Sequence, residues 1–97
     1  MVEEREIRRV AKRLGQAADA ERVVLFGSYA RGAATEHSDV DLLVIADSPL
    51  PRFKRSPALY RLLKPYPFSM DLVVYTPAEI EKGRQTPRSL EIGRAHV

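Results

Sequence analysis

Two segments decide the fold: LFGSYARG at residues 25–32 and SDVDLLVI at residues 38–45. In the first, an apolar run leads directly into a Gly-Ser pair. In the second, two aspartates one residue apart open another apolar run. We interpret the first as a strand that ends in a phosphate pocket and the second as a strand that begins in a metal pocket. The rest of the chain is then their scaffold.

The first segment predicts a buried strand followed by a tight turn. Residues 22–26 (Arg-Val-Val-Leu-Phe) are rich in β-branched side chains, which is typical of a strand buried on both faces. Ser28 is predicted to cap a short helix over residues 28–32, whose first N–H groups would face a phosphate. Gly27 would let the backbone approach that anion closely. The alternative is an ordinary strand-to-helix turn, since Gly-Ser is a common dipeptide.

The second segment predicts a cation site at the start of a strand over residues 39–45. Side chains of a strand alternate between its faces, so Asp39 and Asp41 project from one face, about 7 Å apart. Two carboxylates that close require either a cation or solvent. Because the strand continues with residues that are apolar on both faces, we favour a site for a hard cation over a solvated strand start.

A third aspartate joins this pair if two strands run side by side. Residues 56–64 predict a helix that begins at Ser56-Pro57 with Ser56 as its cap, and residues 69–75 predict the next strand. The connection is long enough for a parallel crossover. Asp71 would then lie beside Asp39 and Asp41. Taken alone, Asp71 is explained as an aspartate at the end of a turn, and it would not be singled out without the other two.

Two further helices complete the predicted scaffold. Residues 2–15 carry apolar residues at spacings of three and four, with Gly15 as the expected terminator and a basic outer arc that we interpret as solvated rather than as a nucleic-acid surface. Residues 76–79 (Thr-Pro-Ala-Glu) form a capping box, with Thr76 as the cap and Glu79 as its partner, and they open a helix to about Gly83.

The amino-acid composition limits the classes of protein to which this chain can belong. The chain has 97 residues, of which 44% are hydrophobic and 30% charged, and we expect one small globular domain. It has no cysteine, which excludes disulfides, thiolate zinc sites and a cysteine nucleophile. His37 and His96 are too few for a histidine metal site. The charged start at residues 2–6 and the absence of a long apolar run predict a cytoplasmic protein with no membrane partner.

The last six residues are unusual. Residues 92–97 (Ile-Gly-Arg-Ala-His-Val) read like a translated sequencing adapter. We therefore predict a domain over residues 1–91 that is truncated at its C-terminus, and an artefact over residues 92–97. If this is correct, His96 has no function.

Together, the Gly-Ser turn, the Asp-x-Asp strand and the later strand with Asp71 resemble the minimal nucleotidyltransferase family of the polymerase-beta-like nucleotidyltransferase superfamily. The resemblance covers the chain from the first helix to about Glu91. It implies an α/β (α+β) fold with a small mixed β-sheet backed by helices.

The resemblance also implies roles. Gly27 and Ser28 would hold the β- and γ-phosphates of ATP, and Arg31 would support the triphosphate or pair with a nearby carboxylate. Two Mg²⁺ ions would be bridged by Asp39 and Asp41. Asp71 would bind the catalytic ion and help to deprotonate the acceptor. This donor set suits transfer of a nucleotidyl group, in which two cations about 4 Å apart stabilise the attacking and leaving oxygens.

Small members of this family resemble the antitoxin half of HEPN/minimal nucleotidyltransferase pairs. The resemblance therefore implies transfer of AMP from ATP to a protein hydroxyl, a tyrosine of a partner HEPN toxin, with this chain as the antitoxin. The alternative is a catalytically weak antitoxin or regulatory subunit that acts by direct binding. Transfer to an antibiotic or a tRNA fits less well, because such enzymes hold their acceptor with an extra domain. The net charge of +3 favours anionic partners such as a nucleoside triphosphate without requiring nucleic acid.

Overall fold

The computed structural model describes residues 1–83 and the backbone of residues 91–93. This part contains four α-helices, four strands and a short 3-10 turn. The helices are α1 (Glu4–Ala18), α2 (Gly27–Ala30), α3 (Ser56–Leu62) and α4 (Pro77–Gly83), and the 3-10 turn is Arg52–Lys54. The strands are β1 (Arg22–Phe26), β2 (Val40–Ile45), β3 (Met70–Tyr75) and β4 (Glu91–Gly93).

The four strands form one mixed sheet in the order β3-β2-β1-β4. Strand β1 pairs antiparallel with both β2 and β4, whereas β2 and β3 are parallel. The predicted small mixed sheet backed by helices is therefore confirmed, and so is the parallel crossover through α3. Because β3 is the last strand on its side, residues at its start lie at an edge of the sheet.

One face of the sheet is covered by α1 and α3 and holds the larger part of the core. The apolar stripe predicted for the first helix is confirmed. Its residues Ile7, Val10, Ala11 and Leu14 are buried in the structure. Alternate residues of β1, β2 and β3 belong to the same core. The residues at the centre of this core are Ile7, Val10, Ala11, Leu14, Val23, Leu25, Val40, Leu42, Val44, Leu63, Leu72 and Val74.

The opposite face, which we call the acidic face, carries Asp41 and Asp71. Its apolar part is smaller, with Val24, Leu43 and Ile45 buried. Around them pack the partly buried side chains Phe26, Val73, Tyr75 and Ile80, the last of which belongs to α4. Since β1 has buried side chains on both faces, the prediction of a strand buried on both sides is confirmed.

The predicted end of the first helix is wrong. The helix does not stop at Gly15 but continues to Ala18, and Asp19 adopts a left-handed conformation with φ of 49°. Gly15 is itself buried, one turn after Ala11 on the face that packs against the sheet. Continued packing of that face therefore outweighs the lower helix propensity of glycine.

Both predicted serine caps are wrong as well. Helix α2 begins at Gly27, so Phe26 occupies the cap position and makes no side-chain cap bond. Helix α3 begins at Ser56, and the preceding Arg55 already has helical angles because the 3-10 turn runs into it. In both cases the serine lies inside the helix instead of at its cap position.

The predicted capping box of α4 is confirmed. The Thr76 N–H donates to Glu79 Oε1 at 2.9 Å, and the Glu79 N–H donates to Thr76 Oγ1 at 3.2 Å. Glu79 also accepts two hydrogen bonds from Arg55, at 2.6 Å on Oε1 and 3.3 Å on Oε2. The Arg55 side chain is 8% exposed and also donates to the carbonyls of Leu50 and Val74. One guanidinium thus joins the loop after β2, the end of β3 and the start of α4.

The chain ends are only partly described. Residues 84–90 and 94–97 lie outside the described part, so the predicted domain boundary at residue 91 and the adapter-derived end at residues 92–97 stay predictions. Within the described ranges, none of the helices combines the length and apolar character that crossing a membrane requires.

The Arg55–Glu79 contact predicts a pH-dependent stability. Hydrogen bonds from Arg55 and then from the Thr76 backbone lower the pKa of Glu79 from 4.5 to about 2. Because the folded pKa is below the unfolded one, the stabilisation is complete above pH 4.5 and is lost as the pH falls towards 2. In urea unfolding, we expect the difference between the wild type and Glu79→Gln to be constant at neutral pH and to shrink across that window.

Glu81→Gln is the matched control, because Glu81 is exposed on the same helix. Its difference from the wild type should stay small throughout. An effect of Glu79→Gln that does not change between pH 7 and pH 2 would contradict the assignment.

Candidate active site

The register of two parallel strands places two carboxylates side by side. Asp41, the second residue of β2, pairs with Asp71, the second residue of β3. Neighbouring strands lie about 4.8 Å apart, so side chains on the same face of paired residues are in reach of each other. Asp41 is partly buried and Asp71 is exposed at the sheet edge. This part of the predicted constellation is assembled by backbone pairing alone.

Asp39 lies nearby but is held differently. It precedes β2 by one residue, it is exposed, and its Oδ1 accepts a short hydrogen bond from the Ser69 hydroxyl. Ser69 takes this position because it precedes β3 in the same register in which Val40 pairs with Met70. A turn closes just before Asp39, where the Thr35 N–H donates to Ser38 Oγ at 2.9 Å.

The electrostatics of Asp41 report the proximity of all three acids. Burial, followed by the charges of Asp71 and Asp39, raises the pKa of Asp41 above its usual value of 3.8. A hydrogen bond between the Asp41 and Asp71 carboxyl groups, which only a protonated form can make, acts in the same direction. Arg31 opposes these effects and is the weakest of the contributions. The cluster therefore carries more negative charge than its protein neighbours neutralise.

Gly27 is required where it stands, at the end of β1. It has a φ of +73°, which L-residues with a side chain rarely adopt. A Cβ at this position would overlap Asp41 Oδ2 and would lie 3.1 Å from Asp41 Cγ. The Gly27 backbone is therefore packed directly against the carboxylate of Asp41. This contact joins the predicted phosphate turn to the predicted metal site.

Ser28 and Arg31 follow Gly27 along the chain, in α2 and directly after it. Ser28 belongs to the single turn of α2, where the first N–H groups of a helix have no partner within the helix. Arg31 follows α2, is exposed, and lies close enough to Asp41 to lower its pKa. Its two predicted uses, towards a triphosphate or towards a local carboxylate, are both compatible with this position.

Two residues of this region were missed by sequence reasoning. Ser69 binds Asp39, and the Tyr29 hydroxyl accepts a hydrogen bond from the Val2 N–H at 3.1 Å, which ties α2 to the start of α1. Ser69 could have been found, because the pairing of Asp41 with Asp71 places it opposite Asp39. Tyr29 offers no such signal, since its partner is a backbone group 27 residues away in sequence.

Asp41 and Asp71 form a pair with Asp39 nearby, and the three carboxylates do not surround a single point. Across residues 1–83 and 91–93, no three His, Cys, Asp or Glu side chains are arranged so that they would hold one metal ion. The structure brings Asp41 and Asp71 together, while one oxygen of Asp39 is bound to Ser69. The donors are all carboxylate oxygens with unneutralised charge, and such donors fit Mg²⁺, which takes few protein ligands.

Comparison with known proteins identifies the family. A sequence model described as "Nucleotidyltransferase domain" matches residues 4–95, which is nearly the whole chain. This chain belongs to the nucleotidyltransferase domain family. The strand pair with its Gly-Ser turn and the Asp41–Asp71 pair thus belong to a nucleotidyltransferase domain.

Several proteins similar to this nucleotidyltransferase domain come from Methanocaldococcus jannaschii and are provisionally named protein adenylyltransferases. One is 37% identical over 54 residues, which is 56% of this chain and 54% of that protein. Two others are 79% identical over 24 residues and 58% identical over 26 residues, spanning 25% and 27% of this chain and 16% and 26% of those proteins. The chain thus matches about half or less of the length of these curated relatives.

A solved structure shares the fold. The crystal structure of a provisionally assigned nucleotidyltransferase from Sulfolobus solfataricus superposes with a TM-score of 0.65 at 23% identity, covering 92% of this chain and 81% of that one. The predicted nucleotidyltransferase fold is therefore confirmed.

The contact between Gly27 and Asp41 predicts unequal effects of two matched substitutions. Gly32 has a similar φ of +69° but nothing within 4 Å of an added Cβ. Gly32→Ala should therefore lower the unfolding free energy by about 1 kcal/mol, the cost of the left-handed conformation. Gly27→Ala should cost roughly 1–3 kcal/mol more, because the methyl group also overlaps a packed side chain. Chemical unfolding of both variants measures the difference.

A double variant tests the cause. Adding Asp41→Ala to Gly27→Ala removes the overlapped carboxylate and should restore part of the lost stability. If both glycine variants lose the same amount, the close contact has no energetic consequence and the assignment is wrong.

Burial of Asp41, together with repulsion from Asp71 and Asp39, predicts that the charge of this residue destabilises the fold. The folded pKa of Asp41 is raised, so the native state loses stability as the pH rises through this pKa. At pH 7 in chelator, Asp41→Asn should therefore raise the melting temperature. Asp47→Asn, at the other end of β2, should leave it nearly unchanged. A lower melting temperature for Asp41→Asn would show that the charge is compensated in the native protein.

Proposed function

We propose that this nucleotidyltransferase domain transfers AMP from ATP to a hydroxyl group of a partner protein, and that it does so with Mg²⁺. The observation that carries the proposal is the Asp41–Asp71 pair, which lies against the Gly27 turn. A triphosphate at that turn would place its α-phosphorus over two carboxylates. The names of the Methanocaldococcus relatives support a protein as the acceptor.

The proposed role of each residue follows from its position in the fold. The backbone at Gly27 and Ser28 holds the β- and γ-phosphates, and Arg31 adds a positive charge beside them. Asp39, Asp41 and Asp71 would hold the metal, which when bound would neutralise charge on the attacking and leaving oxygens. Asp71, at the sheet edge, accepts the proton of the acceptor hydroxyl. The acceptor oxygen then bonds to the α-phosphorus, and the bond to the β-phosphate oxygen breaks to release pyrophosphate.

The partner in this proposal is a HEPN-type toxin whose tyrosine receives the AMP, so that the domain acts as an antitoxin in the cytoplasm. A nucleoside triphosphate is the small-molecule substrate. Nucleic acid is not needed for this reaction. The presence of all three aspartates in the sequence supports an active enzyme.

The second candidate is an antitoxin or regulatory subunit that neutralises its partner by contact. One observation favours it: an Asp39 oxygen is occupied by the Ser69 hydroxyl, and the three acids are not closed around a single point.

Removing two of the acids separates the candidates. With Asp39→Asn and Asp41→Asn together, transfer of label from α-labelled ATP to a co-expressed HEPN protein should fall to background, because two charges that hold the metal are lost. Gel autoradiography measures the transfer, and growth of the cells measures neutralisation. The Asp47→Asn variant, changed outside the cluster, should transfer label like the wild type.

Neutralisation that survives the double substitution would favour the contact mechanism. Label transfer that survives it would exclude the proposed site altogether.

A further inference from the structure

The acidic face contains an apolar cleft that the roles given above leave unused. It has a volume of about 240 Å³ and lies between α4 and the sheet. Its lining includes two aromatic rings, Phe26 and Tyr75, and the aliphatic side chains Leu43, Val73 and Ile80. Among the described lining residues, the single charged one is Glu79, whose carboxylate is engaged by Arg55 and the Thr76 backbone.

The cleft begins where the acid pair ends. Leu43 follows Asp41 by two residues, and Val73 follows Asp71 by two, so each lies on the acidic face about 7 Å further along its strand. Phe26 pairs with Asp41 across β1 and β2 and immediately precedes Gly27. A group bound at the acid pair therefore lies next to residues that line the cleft.

The direction of the reaction decides which part of the reactants reaches the cleft. In-line transfer places the attacking oxygen, the phosphorus and the leaving oxygen on one axis. With the leaving phosphates at Gly27, directly after β1, and the acceptor at Asp71 on β3, this axis runs across the strands. The ribose leaves the phosphorus at roughly a right angle to the axis, and therefore along the strands or away from the sheet. The cleft lies along the strands.

We propose that this cleft binds the adenine ring of ATP. The inference rests on the proposed function, since it uses the positions assigned to the triphosphate and the acceptor. The volume of about 240 Å³ is below the roughly 300–1,000 Å³ of pockets that enclose a whole drug-sized ligand, so it suits one flat ring system. Aromatic and aliphatic walls with few free polar groups favour the faces of a base over its edges.

Binding of two ligands to the wild-type protein tests the proposal. With Mg²⁺ present, ATP should bind about tenfold more tightly than inorganic triphosphate, a difference expected from the contacts of one stacked base. In methyl NMR spectra, ATP should shift the signals of Leu43, Val73 and Ile80, whereas triphosphate should leave them in place. Isothermal titration calorimetry gives the two affinities.

Two tryptophan substitutions on one helix give a matched pair. Ile80 lines the cleft, whereas Ala78 is exposed on the same helix. Ile80→Trp should fill the cleft and bring the affinity for ATP down to that for triphosphate, with the affinity for triphosphate unchanged. Ala78→Trp should bind both ligands like the wild type. If Ile80→Trp does not fold, the wild-type spectra still decide the question.

The outcomes separate this inference from the function on which it rests. Equal affinities with unshifted methyl signals would overturn the adenine site and leave the proposed transfer intact. If N-acetyltyrosine amide shifts these signals and ATP does not, the cleft belongs to the acceptor and the inference is wrong. If neither ATP nor triphosphate binds, the proposed function fails and the adenine site fails with it.

Discussion

Parallel pairing of β2 with β3 holds two like charges next to each other, and the rest of the site depends on that constraint. Burial of Asp41, followed by repulsion from Asp71, raises the pKa of Asp41, so its negative charge is unfavourable in the folded protein. The strands nevertheless stay paired because Leu42, Val44, Leu72 and Val74 are buried beneath α1 and α3. Apolar burial on one face of the sheet thus offsets electrostatic repulsion on the other. The pair of carboxylates lowers the stability of the free protein, and a bound cation would relieve their repulsion.

The Gly27 turn is placed by the same sheet. Strand β1 runs antiparallel to β2, so the end of one lies beside the start of the other, with Phe26 paired to Asp41. The chain must then leave the sheet without touching the carboxylate next to it, and only a residue without Cβ can do this at φ of +73°. The presence of a glycine after β1 is therefore explained by Asp41, before any phosphate is considered. The same absence of a side chain leaves backbone N–H groups accessible to an anion.

The sequence was sufficient for features that depend on periodicity within one segment. The alternation in β2 and β3, the stripe on α1 and the Thr76–Glu79 capping box were all predicted correctly. Prediction from the sequence failed where contacts with another segment decide the conformation of a residue. Gly15 continues the helix because its face is needed for packing against the sheet, and Ser56 loses its cap position because a 3-10 turn precedes it. The contact between Ser69 and Asp39 depends on a register that no single segment contains.

The position of α4 explains why the acidic face has a cleft at all. None of its residues, Pro77–Gly83, is fully buried, so packing alone does not fix the helix on the sheet. It is held instead at its first turn, where Glu79 is bound by Thr76 and by the buried guanidinium of Arg55. A helix fixed by polar contacts at one end, with Ile80 as its apolar contact, need not close against the strands beyond that point. The contacts of Glu79 thus fix the first turn of α4 but leave an apolar space between the helix and the sheet. The cleft beside the acid pair exists because α4 is held at one end and not along its whole length.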